Sequence, residues 1–187
     1  MPENKKRPRT VILTLGFSNR TLPEVLEILR KGGIQILADI RAVPTSTMLP
    51  GFNREHLAED LPKLGITYHH LKELSGEGRK AKGRSPNTGI ANVWRPYADH
   101  MLSEEFERGL IRLQALAMIG PVAVLNIETD WKKCCRRFLA DALTQGGMNV
   151  QHVDRNGSLL KHELTPRCIL QQGKTIYPAQ GEQLALF

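Results

Sequence analysis

The sequence predicts an α/β fold: a mainly parallel, open sheet of about five strands flanked by helices, with an extended C-terminal tail. Three observations carry that prediction. Short apolar runs rich in β-branched residues recur at 10–17, 34–40, 66–71, 121–128 and 148–154. Helical periodicity and recognisable caps fill most of the stretches between them. The alternation repeats with connections long enough to return the chain for a parallel neighbour.

Taken in order, TVILTLGF (10–17) is the first strand, stopped by the turn residues Ser18 and Asn19. TLPEVLEILRKGG (21–33) is a helix: Thr21 and Glu24 make a capping box, Pro23 sits in the first turn and Gly32-Gly33 end it. IQILADI is the second strand. NREHLAEDLPKLG (53–65) reads as a helix with Asn53 as N-cap, ended or kinked by Pro62. ITYHHL is the third strand, and residues 72–92 read as a long mobile loop. SEEFERGLIRLQALAMIG (103–120) is an amphipathic helix capped by Ser103, with acids in its first turn. PVAVLNIE is strand four, DWKKCCRRFLADALTQGG (130–147) the helix after it, and MNVQHVD strand five. The expected organisation is a basic flexible tail over 1–9, one α/β domain over 10–170 and a C-terminal tail over 171–187.

Composition bounds the function. The chain of 187 residues can bury a full core, and 41% apolar with 24% charged residues is ordinary for a globular protein. The N-terminal cations lead into a turn rather than a signal-type apolar segment, and no apolar run spans a bilayer. Three cysteines, two adjacent, make no disulfide framework, so the expected location is the cytoplasm. No CxxC pair or metal-ligand spacing occurs, and the reading assigns neither metal nor cofactor. A net charge of +7 favours a polyanionic partner, although Lys5, Lys6, Arg7 and Arg9 supply part of it from the tail.

The segment WKKCCRR (131–137) raises the sharpest chemical question. On a continuous helix, Trp131, Cys135, Phe138, Leu139 and Ala142 share one apolar stripe, which makes Cys135 a packed small hydrophobe. Cys134 would lie in the first turn, where the dipole and neighbouring cations favour thiolate, yet no base for it can be picked out by sequence. The expectation is therefore a positively poised, anion-binding wall, with Lys132, Lys133, Arg136 and Arg137 around free N–H groups. In an open α/β sheet the crevice lies beyond the carboxyl ends of the strands. That rule gathers Ser18, Asn19 and Arg20 from strand one, Asp39 and Arg41 from strand two, His69, His70 and Glu73 from strand three, and Asn126, Glu128 and the cysteine helix with Arg136 from strand four. Arg41 would grip an oxyanion with its planar fork, or pair internally with Asp39. The candidate catalytic residues are His70, Glu128 and Cys134.

LTLGFSNRTLPEVLEIL, LADIRAVP followed by GFN, ITYHHLKELSG, YADHM, IETDWKKCCRRFLADAL and the later KHELTP and IYP resemble the domain of unknown function 488 family. The resemblance covers most of residues 11–178 and implies a compact α/β domain with a polar cleft, without a settled reaction. The positions it carries over are Ser18, Asn19, Asp39, Arg41, Pro44, His70, Glu73, Tyr97, Glu128, Cys134, Arg136 and His162. It also marks departures: Phe17 and Cys135 stand where the pattern has histidine, Thr47 where it has arginine, and Asn126 where it has cysteine. A Cys–His reaction is therefore not expected here, whereas anion binding by Arg41 and Arg136 would survive.

The last five residues, QLALF, match the short peptide with which bacterial replication and repair proteins bind the ring-shaped sliding clamp, Gln183 making a polar contact while Leu184, Leu186 and Phe187 enter an apolar groove. The same residues would equally serve as terminal packing. Sequence alone thus supports a nucleic-acid- or nucleotide-associated protein with a strand-end anion cleft, a repair or replication accessory recruited through QLALF. The alternatives are an enzyme on a phosphorylated or nucleotide-like small molecule, and a scaffold that keeps only the fold.

Overall fold

Period-two alternation in the strands sorts their side chains into two layers, and that sorting builds the molecule. The computed structural model describes residues 11–80 and 83–181. The basic tail and the QLALF peptide lie outside the described residues. Strands β1 (Val11–Gly16), β2 (Ile36–Asp39), β3 (Thr67–His70), β4 (Val122–Asn126), β5 (Asn149–Val153) and β6 (Leu159–Lys161) form one sheet in the order β3-β2-β4-β1-β5-β6. All pairings are parallel except β5 with β6. Leu13 and Leu15, Leu37, and Ala123 and Leu125 face helices α1 (Leu22–Lys31) and α2 (Arg54–Lys63). Ile12, Ile36, Ala38, Val122 and Val124 face α3 (Arg95–His100), α4 (Glu104–Ile119) and α5 (Arg136–Gln145).

The expected strands and most helices are present. The Thr21–Glu24 capping box opens α1, and the Ser103 side chain caps α4. Asn53 holds the N-cap position of α2 without a side-chain cap bond; its Oδ1 instead accepts the Ser46 N–H at 2.6 Å, and Pro62 is tolerated in the last turn. Among the described residues no helix is long and apolar enough to cross a membrane.

Three differences from the sequence reading matter. Residues 72–92 are not a loose excursion throughout: Asn87 is fully buried, giving its Nδ2–H to Asp99 at 2.9 Å and accepting the Tyr177 N–H at 3.0 Å. The region after Arg155 is ordered as β6 and the hairpin β7 (Ile169–Gln171) and β8 (Lys174–Ile176), so the folded body runs past residue 170 and seats Tyr177 in the core. The helix after β4 does not begin at Trp131. Asp130 caps a short 3₁₀ turn, Trp131–Lys133, by accepting the Lys132 N–H at 3.0 Å. Cys134 is then extended (φ −129°, ψ 150°), and α5 starts at Arg136.

Candidate functional site

Helix α1, which follows β1, packs on one face of the sheet, and α5, which follows β4, on the other. Adjacent strands whose connections leave to opposite faces open a crevice at their carboxyl ends, here between β1 and β4. The β4 chain crosses directly over the end of β1: Phe17 and Ser18 both donate N–H to the Ile127 carbonyl, at 3.0 and 2.9 Å. Gly16 permits this, because a Cβ there would lie 2.0 Å from the Glu128 carbonyl oxygen. Ser18 and Asn19 hold the crossing chain through Thr129, whose hydroxyl sits 3.0 Å from Ser18 Oγ and donates to Asn19 Oδ1. They are fasteners of the loop that carries Glu128.

Beside this crossing opens a cleft of about 330 Å³, lined among others by Gly76, Arg79, Trp94, Tyr97, Asn126, Glu128, Lys133, Cys134 and Cys135. It brings together Tyr97, Asn126, Glu128, Lys133 and Cys134, all singled out by sequence. Cys135, read there as a packed small hydrophobe, belongs to it as well. Both sulfurs are recessed, Cys134 being 5% and Cys135 7% exposed. Arg136 lies behind the lining, fully buried. Its Nε donates to Cys134 Sγ at 3.3 Å and its Nη2 to the Glu128 carbonyl, while its Nη1 has no partner and no carboxylate pairs with it among the described residues. Arg136 is thus an internal cation rather than a wall facing ligand.

The electrostatics follow from that placement. A hydrogen bond from Cys135, aided by the Arg136 charge and opposed by burial, lowers the Cys134 thiol from 9.0 to about 6. Giving that bond, together with burial, pushes the Cys135 thiol up. Asn126 Nδ2 donates to Cys135 Sγ at 3.4 Å, so the residue found in place of the pattern's cysteine supports the other sulfur. Burial, then the two neighbouring sulfurs, raise the Tyr97 phenol, whose hydroxyl donates to the Leu74 carbonyl at 3.1 Å. Glu128 Oε1 accepts the Asp130 N–H at 2.8 Å.

The remaining candidates do not converge on this cleft. Asp39 and Arg41 form a fully buried ion pair, Nη2 to Oδ2 2.6 Å, and Arg41 also donates to the Phe52 carbonyl at 2.7 Å. Tyr68 donates to Asp39 at 2.8 Å, and His70 Nε2 lies 2.7 Å from the Arg41 carbonyl. Phe17 stacks on Phe52 at 4.2 Å beneath the Arg41 guanidinium. Phe17, Phe52 and Tyr68 all pack with the α1–α2 layer, across the sheet from Cys135 and Tyr97. The expectation of one pocket shared by Arg41, His70, Glu128 and Arg136 is corrected on this ground: Asp39 lies in register with His70 and with Leu125, on the α1–α2 face, whereas Asn126, the next residue along β4, points to the other face. Glu73 pairs with Arg112 at 2.5 Å, and Thr47 is exposed.

His162 belongs to a buried chain that the sequence reading missed. Thr14 Oγ1 lies 2.6 Å from His152 Nδ1, His152 Nε2 2.8 Å from His162 Nδ1, and His162 Nε2 2.9 Å from Asp141 Oδ1. Asp141 also accepts the Tyr177 hydroxyl at 2.8 Å and the Thr165 N–H at 2.8 Å. Since Asp141 accepts, the chain runs in one direction when both rings are neutral, every proton pointing toward the carboxylate. Trp131, freed from the helix, stacks on His152 at 3.8 Å. A polar Thr14 and His152 inside apolar strands were the available signal.

Fold and site together define an open α/β protein with a thiol-bearing cleft at its strand crossing. The chain belongs to the family described as domain of unknown function DUF488, whose profile matches residues 21–143. No curated protein and no solved structure matches it.

Proposed function

We propose that this chain is a cysteine-dependent enzyme acting on a small molecule in the cleft at the end of β4, with Cys134 as the nucleophile and Glu128 as the group that moves protons at its mouth. One observation carries the reading. Arg136 is a guanidinium held entirely out of water without a carboxylate partner among the described residues, and the anion it meets there is the Cys134 thiolate. A buried cation is costly unless compensated, so the pair is mutually supporting: Arg136 favours thiolate, and thiolate neutralises Arg136. The anion-gripping role expected of Arg41 and Arg136 falls away because both are engaged internally. The test is alkylation of the full chain by iodoacetamide across pH, read at Cys134 by peptide mass. Labelling should reach half its maximal rate near pH 6, and in Arg136→Met the midpoint should rise by about one unit or more. A rate that climbs only above about pH 8, as for an ordinary thiol, overturns the reading.

A second reading, association with nucleic acid or a nucleotide, is favoured by exposed Lys133 at the cleft, its exposed neighbour Lys132, and exposed Lys80 and Arg84 in the 72–92 segment. Its test is duplex and single-strand affinity against salt. Electrostatic binding weakens steeply as salt rises, and an affinity indifferent to salt removes it. Recruitment by a sliding clamp rests on residues 183–187 and is checked by comparing clamp binding with and without them; equal binding removes that part.

A further inference from the structure

We propose that Cys134 and Cys135 form a two-electron dithiol–disulfide couple whose substrate is a small-molecule disulfide bound in the cleft at the end of β4. This rests on Cys134 being the nucleophile of the site. The two sulfurs line the same cleft, and neither is tied to another cysteine. Cys135 is more than packing. Its sulfur accepts from Asn126 Nδ2 at 3.4 Å, which holds it beside Cys134 in the cleft. The backbone at Gly76 lies so close that a Cβ there would come within 3.1 Å of its sulfur. A second thiol fixed next to the first in one cleft is the arrangement a resolving cysteine requires.

The chemistry balances without a further group. The Cys134 thiolate attacks one sulfur of the substrate disulfide; that S–S bond breaks and one substrate thiolate leaves. Cys135 loses its proton and attacks Cys134 Sγ, releasing the second half of the substrate. The products are a Cys134–Cys135 disulfide, one thiolate and one thiol. Two electrons have passed from the protein to the substrate, and a low-molecular-weight thiol in excess returns them. Cα atoms of adjacent residues lie about 3.8 Å apart, short of the roughly 4.4–6.8 Å of ordinary disulfides, so the bond is strained and easily reduced. Oxidation also removes the thiolate partner of Arg136, which favours return to the dithiol. Both features suit a couple that turns over rather than a structural crosslink. The recessed sulfurs restrict the substrate to small molecules, because a disulfide in a folded protein surface cannot reach them.

The experiment uses the full chain carrying Cys168→Ser, which removes the third cysteine, with glutathione disulfide in excess as the probe and intact mass as the readout. The Cys168 variant should lose two hydrogens without retaining an adduct, and excess reduced glutathione should restore it. Adding Cys135→Ser should trap one glutathione on Cys134, and adding Cys134→Ser should abolish both products. A stable glutathione adduct while Cys135 is present, equal to that of the trap variant, shows that Cys135 does not resolve and overturns the proposal. No reaction at all, with Cys134 still alkylated near pH 6, also overturns it while leaving the nucleophile in place; failure of that alkylation removes both. If Cys135→Ser does not fold, the protein that retains Cys135 still decides: loss of two hydrogens supports the couple, and a persistent adduct sinks it.

Discussion

At the scale of single residues, Arg136 and Gly16 do the most to shape the site. Arg136 leaves Nη1 unpartnered in the interior, an arrangement that selection for stability alone does not favour. Replacing it with methionine removes both the buried charge and its hydrogen bonds, and these effects oppose each other. Arg136→Met is therefore expected to change unfolding free energy by no more than about 1 kcal/mol in urea melts while it raises the Cys134 thiol. A loss of several kcal/mol would instead make Arg136 structural. Gly16 has no such latitude. A methyl there meets the backbone of Glu128 and Thr129, which cannot swing aside like a side-chain tip. Gly16→Ala should destabilise by about 3 kcal/mol or more and displace the cleft lining, visible as lost cooperativity in the same melts.

At the scale of elements, local chemistry fixed the starts of α1 and α4. Thr21 and Glu24 satisfy each other's neighbouring N–H groups at the head of α1, so Thr21→Ala should cost about 1 kcal/mol, measured by denaturant midpoint. The segment between β4 and α5 obeys another logic. Its apolar spacing suits one helix from Trp131, and that is how the sequence reads. Asp130 stops the first turn at Lys133, and the extended Cys134 turns its sulfur toward Arg136 and the cleft. A continuous helix would have kept Trp131 on the same stripe as Phe138; the break instead lays it flat on His152. The hairpin β7–β8 escaped notice because its short strands carry little apolar pattern, and β8 owes its place to Tyr177 reaching Asp141.

At the scale of the whole molecule, the buried chain from Thr14 to Asp141 ties the central strand β1 to β5, α5 and the C-terminal hairpin, and it makes stability depend on acid. Burial, then the neighbouring His162 and Arg136, push His152 down to about 3. Its folded value lies below the ordinary histidine value of 6.5, so between those limits the unfolded chain binds the extra proton. Stability should be fully present above pH 6.5 and fall as pH drops toward 3, with a slope approaching about 1.4 kcal/mol per pH unit. His152→Gln should flatten that slope in melts at pH 4 to 6. An unchanged slope would place the acid sensitivity elsewhere. Cys134 acts in a higher window. Its depressed thiol contributes stability that is present above pH 9 and is lost as pH falls through about 6, and Cys134→Ser should remove that contribution.

The sequence by itself determined the five parallel strands, the caps of α1 and α4, the parallel α/β class and the family, because alternation, helical period and capping are local properties of the chain. It also picked out Tyr97, Glu128 and Cys134 as residues of interest. Only the tertiary structure decided which of the selected residues meet. A side chain's face depends on the strand's register and on which layer its helix joins, and neither is written in local spacing. That is why Asp39 and Arg41 form a buried pair on one side of the sheet, with His70 half-buried against it. It is also why Arg136, read as a hand held out to a ligand, turns inward to hold a sulfur.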